Sequence, residues 1–439
     1  MPLVRDPLWE HFMSDLSSVK YLGLGCLLYA AAYCMLRRRL PALWGSLPAA
    51  AMTALCAWAA GSFLTLGAPI AWDKSPLFSY TCFLMLLVVT VSVVDNWRRF
   101  EHVLWAMVVS VSIASLYIVR EWQEYHNIYA QFRPGWVTGD PNYFTASALI
   151  GLPLALAFCG RGWALWKRLF AGGCALLTLA AAGLAASRGG LLGLLAMTGW
   201  LAWKKRHLGV FVLLVSLAAP PLLLWSRSPL NRLMHPSASD IKSSNTRLAL
   251  WQAGLNMIEQ HPLRGIGLGE FKAEVERYAA GHDDLDHIAH NTYLALAAEM
   301  GLPALMLYAA MLAGAWFAFS GLHAAAVRDG GHQPARRRGS DALRFADDAS
   351  PPAPEADGDQ APAMPAWLAN AALGMQAAIL GFSVSAIFLS AQYTKLFWLL
   401  IAVSATAASL RSQTAAVTAE AKPATFATNL LEPAPDAGP

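Results

Sequence analysis

Charge is what this chain has least of: Asp, Glu, Lys and Arg make up 14% of its 439 residues, where a soluble domain carries about a quarter. With 56% hydrophobic residues, that scarcity excludes water as the main solvent. Cysteine is sparse too. The six cysteines (Cys26, Cys34, Cys56, Cys82, Cys159 and Cys174) fall in or beside apolar runs and form no CxxC pair, so neither a disulfide framework nor a zinc centre is indicated. The net charge of +4 is small and its basic residues sit in short loops, so no nucleic-acid partner is read from it. The first nineteen residues lack a basic start, an apolar stretch and a small-residue cleavage site, and insertion is expected to rely on the first spanning helix. Inverted repeats and acidic residues in mid-span are not evident either, which argues against a carrier.

What is present are apolar runs of the length a bilayer core demands of a helix. Candidate spans are 19–36, 47–66, 77–94, 103–119, 142–160, 169–186, 190–203, 208–225, 292–318, 366–389 and 396–411. Basic clusters at Arg37–Arg39, Arg98–Arg99, Arg161 to Arg168, Lys204–Arg206 and Arg336–Arg338 alternate with loops that have few Lys or Arg. The positive-inside rule puts the basic loops in the cytoplasm and 67–76, 120–141, 187–189, 226–291 and 390–395 on the outer side. The expected fold is an all-α polytopic membrane bundle of about eleven to twelve helices with one large helical outer loop. In domain terms, spans occupy 1–225, the loop 226–291, a further span 292–320, a disordered cytoplasmic linker 321–365, the last two spans 366–411 and a disordered cytoplasmic tail 412–439. The expected N-terminus is external. Within the loop, Leu248, Trp251, Leu255 and Ile258 recur at helical spacing after a candidate Asn245 cap, predicting a helix folded against the membrane domain.

Four clusters could carry chemistry. Ser187-Arg188-Gly189-Gly190 is a tight turn at the outer face; Arg188 is either a snorkelling turn residue or an anion clamp, since guanidinium grips phosphate bidentately and stays charged. Arg247 is read as lying in a first helical turn, where it would join the exposed N–H groups in an anion site, or else as a solvated surface arginine. Arg264 lies in the following His261 to Phe271 segment, whose GxGxG run is a turn rather than a nucleotide fingerprint. His290, with Asn291, precedes the span 292–318; its imidazole suits a general base, though a lone interfacial histidine would look the same. His282, Asp283, Asp284, Asp286, His287 and His290 resemble metal ligands by type, but a solvated acidic lip explains them equally and no metal is assigned. Asp140 reads as an N-cap with Pro141 at the first helical position. Functionally, Asp140, Asn142, Tyr393 and Lys395 could line one outer cavity.

The order of these pieces, DPN before one span, SRGG at an outer turn, Arg247-x-x-x-Trp251, PLRGIGLGEF and then His290-Asn291 entering a helix, resembles the O-antigen ligase and polymerase superfamily over residues 139–320. The ligase pattern continues to Gly301 and departs at its last position, here Ala304. The resemblance implies a metal-independent, cofactor-free, inverting glycosyltransferase of the C-type membrane class. Its donor would be a glycan on undecaprenyl diphosphate, and its acceptor lipid A-core, a growing polymer or a protein. Arg188 and Arg247 would match the family's diphosphate-binding arginines, with Arg264 a weaker match, and His290 the proposed base. It implies an inner-membrane protein working at the periplasmic face, and leaves a lipid-linked glycan transporter as the rival from another class.

Overall fold

The computed structural model describes residues 16–37, 44–66, 75–128, 132–135, 140–160, 162–209, 212–213, 215, 217, 228–279, 287–332 and 364–420. Helices α1 (Leu16–Arg37), α2 (Leu47–Leu66), α3 (Pro76–Val93), α4 (Trp97–Tyr125), α5 (Pro141–Phe158), α6 (Leu165–Ala185) and α7 (Arg188–Lys204) fall on the first seven expected spans. Next come the loop helices α8 (Pro229–Met234), α9 (Ala238–Gln260) and α10 (Phe271–Tyr278). The last three described spans are α11 (Thr292–His332), α12 (Leu368–Ser385) and α13 (Lys395–Glu420). The expected span 208–225 lies mostly outside the described residues. Eight of the described helices are long and apolar enough to cross a bilayer, no strand occurs among the described residues, and the chain is a multi-pass membrane protein.

Helix starts follow local chemistry. Ser75, Asn96, Asp140 and Ser187 each accept a backbone N–H of the first turn through their side chains, and Pro76 and Pro141 open their helices. Two helices outrun their expected spans: α11 reaches His332 and α13 reaches Glu420. The parts of the expected disordered linker and tail nearest the membrane are therefore helical. Alanine-rich sequence at Ala324–Ala326 and Ala415–Ala416 favours continuing the helix past the bilayer. Residues 333–363, including Arg336–Arg338, and 421–439 lie outside the described residues.

Helix α12 is the central post, packed by α5, α7 and α11, while α11 also lies along α2. Its side chains are small, which lets backbones approach where lipid offers no hydrophobic drive: a Cβ on Gly374 would come within 2.7 Å of the Pro153 carbonyl. The two ends of the bundle differ. At one, basic loop residues pair locally, with Lys167 to Glu101 at 3.0 Å and Arg99 to Asp95 at 3.1 Å. At the other, the segments with few basic residues converge.

The loop helix α9 packs through Leu250, Ala253 and Met257 onto Phe271 and Val275 of α10 and Ala295 and Ala298 of α11. This stripe overlaps only in part with the one that the spacing suggested: Ile258 packs against the cluster and Trp251 is half-buried. Leu248 and Leu255 are exposed, because small residues on the neighbouring face allow closer contact: a Cβ on Gly254 would lie 2.8 Å from Leu294.

Helix α11 is broken one-fifth of the way along, at Gly301, whose φ of 78° and ψ of 173° are non-helical. Pro303 has no N–H to offer the Glu299 carbonyl, and the Leu302 N–H turns instead to the Pro262 carbonyl at 2.8 Å. The segment between α9 and α10 fills the gap: Ile266 N–H donates to Ala298 O and Gly267 N–H to Glu299 O, each at 2.9 Å. Non-helical backbone at membrane depth is tolerated only when its polar groups are satisfied in this way. Glycine is required on both sides, since a Cβ on Gly265 would meet the Glu299 carbonyl carbon at 2.3 Å and one on Gly301 the Leu263 oxygen at 2.4 Å. The loop is thereby stitched into the helix that carries His290 at its head.

Candidate active site

The N-terminus of α7 sets the first wall. Ser187 caps it, accepting from Gly190 N at 3.1 Å and donating to Asn142 Oδ1 at 2.7 Å, so α5 and α7 are tied at their starts. Gly190 is needed for that approach, because a Cβ there would fall 2.1 Å from Thr145 Cγ2. Arg188 is then the first residue of α7, at the positive end of the helix dipole.

Helix α9 supplies the second wall. It starts at Ala238, not at Asn245, so Arg247 sits in mid-helix and the expected first-turn N–H groups are not beside it. Asn245 is exposed, where its weaker helix propensity costs only about 0.7 kcal/mol or less, and the helix runs through it. What Arg247 gains is a neighbour one turn on. Trp251 donates Nε1–H to the Ala289 carbonyl at 3.0 Å, which fixes the segment leading into His290, and residues four apart share a helix face.

Arg188 and Arg247 line one cavity of about 110 Å³, together with Arg133, Asn142, Ser187, Ser243 and Phe388. Three guanidinium groups on three elements thus border one small space, and no carboxylate is among its described lining residues. Arg133 is held there by donating Nε–H to the Ala185 carbonyl at 3.0 Å. Such a space suits a multiply charged anion.

His290 is not among the residues lining this cavity; the charge of Arg247 acts on it, and it takes a left-handed conformation, φ 48°, at the turn into α11. Burial pushes its pKa below the usual histidine value; the Arg247 charge pushes the same way, Asp140 opposes and His287 adds a small further depression. Its Nδ1 is buried with no hydrogen-bond partner among the described residues. A neutral imidazole with a vacant ring nitrogen near a cationic cavity has the character of a base.

The other expected residues divide. Asp140 caps α5 through Asn142 N at 2.7 Å and acts electrostatically on His290. Asn291 caps α11, accepting from Tyr293 N and Leu294 N at 3.0 and 3.1 Å. Tyr393 lines a second cavity, of about 420 Å³. Arg264 and Lys395 are exposed and line neither cavity, because the loop turns at Gly265 and α13 begins at Lys395, carrying both side chains outward. Of the candidate metal ligands, His282, Asp283, Asp284 and Asp286 lie outside the described residues.

Sequence reasoning passed over Arg133, Ser243, Glu299 and Gln392. A signal existed for Arg133, an arginine in a segment where the charge rule makes arginine scarce. Another existed for Glu299, a carboxylate inside the apolar run 292–318 that the reading of no acidic residue in mid-span overlooked. Ser243 and Gln392 carried none. Comparison with known families gives one match: the model of the family described as O-antigen ligase covers residues 173–309, from α6 to the middle of α11. No curated protein matches the chain.

Proposed function

We propose, from the match of residues 173–309 to the O-antigen ligase family, that this chain is a transferase that moves a glycan from undecaprenyl diphosphate to an acceptor, most readily lipid A-core, at the periplasmic face of the inner membrane. The observation that carries this reading is that Arg188 and Arg247, far apart in sequence, border one cavity whose Arg247 also depresses the pKa of His290.

In this scheme Arg188 and Arg247, with Arg133 beside them, hold the diphosphate. The acceptor hydroxyl oxygen forms a bond to the anomeric carbon as the bond from that carbon to the diphosphate oxygen breaks. The electron pair leaves with the diphosphate, and the hydroxyl proton goes to His290. A single displacement inverts the anomeric centre. Charge stabilisation of the leaving diphosphate is the larger contribution, since removing one donor of this kind costs about 2.7 to 4 kcal/mol. Asp140 partly offsets Arg247 at the imidazole and so keeps His290 able to accept a proton. No metal or cofactor enters the scheme.

The test is transfer in vitro from a defined lipid-linked donor to a panel of lipid A-core, lipid-linked repeat and protein acceptors. Label on lipid A-core supports the ligase reading; label on a second lipid-linked repeat or on protein moves the assignment to a polymerase or an O-oligosaccharyltransferase. If liposomes carrying the pure protein pass intact labelled lipid-linked glycan across the bilayer and no acceptor is ever labelled, the protein is a transporter and the scheme fails.

A further inference from the structure

The second cavity has a different chemistry from the first. Among the residues around its 420 Å³ are Phe271, Ile288, Glu299, Ser390, Gln392 and Tyr393. Glu299, Ser390 and Gln392 are at most 5% exposed, and Glu299 Oε2, Ser390 Oγ and Gln392 Oε1 have no hydrogen-bond partner among the described residues. Glu299 is partly engaged, its carboxyl accepting the backbone N–H groups of Gly269 and Phe271. Buried acceptors left open are costly and uncommon, and three around one space call for a ligand that brings donors. Among the described lining residues Lys272 is the one basic side chain and it is exposed, and Glu299 brings a carboxyl where the first cavity has guanidinium groups, so the anion-binding chemistry of the first cavity is not repeated here. Hydroxyl groups on a ring whose C–H face lies on Phe271 and Tyr393 do fit.

Position agrees with chemistry. The two cavities share a wall: Asn142 and Leu389 line the first, and their chain neighbours Tyr143 and Ser390 line the second, joined where the Tyr143 hydroxyl donates to the Ser390 carbonyl at 2.9 Å. Ile288 and Ala289 line the second cavity, and His290 follows directly. Thr292 locks the joint, donating to Leu389 O and accepting from Ala391 N at 2.8 Å.

We propose that this second cavity binds a sugar ring of the acceptor, with Glu299, Gln392 and Ser390 accepting its hydroxyl protons, so that donor and acceptor enter from opposite sides of His290. The word acceptor rests on the transferase reading above; the binding does not, and it is measurable without any donor.

Purified full-length protein in lipid nanodiscs is titrated with deacylated lipopolysaccharide core oligosaccharide, with binding followed by thermophoresis. The wild type binds. Gln392→Ala and Glu299→Gln each weaken binding by about tenfold or more, the scale of one lost hydrogen bond to a buried group. Ile288→Trp, which narrows the cavity from an exposed position and leaves the buried packing alone, weakens it at least as much. A wild type that does not bind the oligosaccharide, an Ile288→Trp variant that binds as well as wild type, or displacement of the oligosaccharide by a polyprenyl chain each overturns the proposal. Binding that behaves as expected in a protein that never transfers glycan removes the transferase reading and keeps this site. Normal transfer with binding unaltered by all three substitutions does the reverse.

Discussion

The two cavities near the His290 joint draw on neighbouring residues of the same short stretches of chain yet differ in chemistry. One is small and bordered by three arginines; the other is nearly four times larger and bordered by a carboxylate, an amide and aromatic rings. Period-two alternation does not produce the contrast, since the segments are turns and helix starts. Neighbouring residues there point to opposite sides, so Asn142 faces the first cavity and Tyr143 the second. In the proposed scheme this separation keeps the Glu299 carboxyl away from the cavity assigned to the diphosphate.

The contrast breaks most completely when the cationic side is emptied. Each of Arg188→Ala and Arg247→Ala is expected to lower transfer by about 10² to 10³, and the double variant to abolish measurable turnover while the protein stays inserted and monodisperse. Donor titration in the in vitro assay checks this; a double variant with wild-type turnover ends the diphosphate reading. His290→Ala should cost about 10² or more, and the pH profile sharpens the point. Because burial and Arg247 depress the His290 pKa, the acid limb of kcat/KM should fall below the ordinary histidine value of about 6.5. Activity is lost as pH falls through it. Residual activity of Arg247→Ala should show that limb moved to higher pH, because a repelling charge is gone, and Asp140→Asn should move it lower.

A smaller effect comes from the stitch that holds both cavities to α11. Gly301→Ala places a Cβ where φ is positive and against the Leu263 carbonyl, so a loss of about 1 to 3 kcal/mol of stability is expected, read as a lower melting temperature in detergent. The smallest comes from the cap. Asn291→Ala removes the acceptor for Tyr293 and Leu294 N–H and should cost about 1 kcal/mol, with a modest rise in KM and little change in the pH limb. A pH limb displaced as far as in Arg247→Ala would show that Asn291 acts on the imidazole directly.

Much of this was readable in advance and some was not, for reasons that differ by residue. Arg188 and His290 were singled out by residue type and place, a guanidinium in a turn between apolar runs and an imidazole before a helix, although each pattern also has an ordinary structural reading. Arg247 was found for a reason that the structure corrects: a cap-type residue at Asn245 was taken to start the helix, whereas helix propensity is a weak prior and tertiary contact carried the helix back to Ala238. The loop helix was expected to bury Leu248 and Leu255, but large apolar residues flank its small ones, and spacing alone does not tell which face meets protein. Arg264 and Lys395 had the right charge on the right segments and are turned outward.

Sequence by itself determined the class of the molecule, its helical spans, the alternation of basic and non-basic ends, and most of the residue types at the candidate centre. These follow from local quantities: run length against bilayer thickness, charge in loops, cap and turn chemistry. Which side chains meet was decided only in three dimensions. The break at Gly301 leaves two carbonyls that the segment between α9 and α10 satisfies, and closing those bonds brings α9, α10 and the His290 joint together. Such pairings join residues tens to hundreds of positions apart, and no local pattern in the chain encodes them.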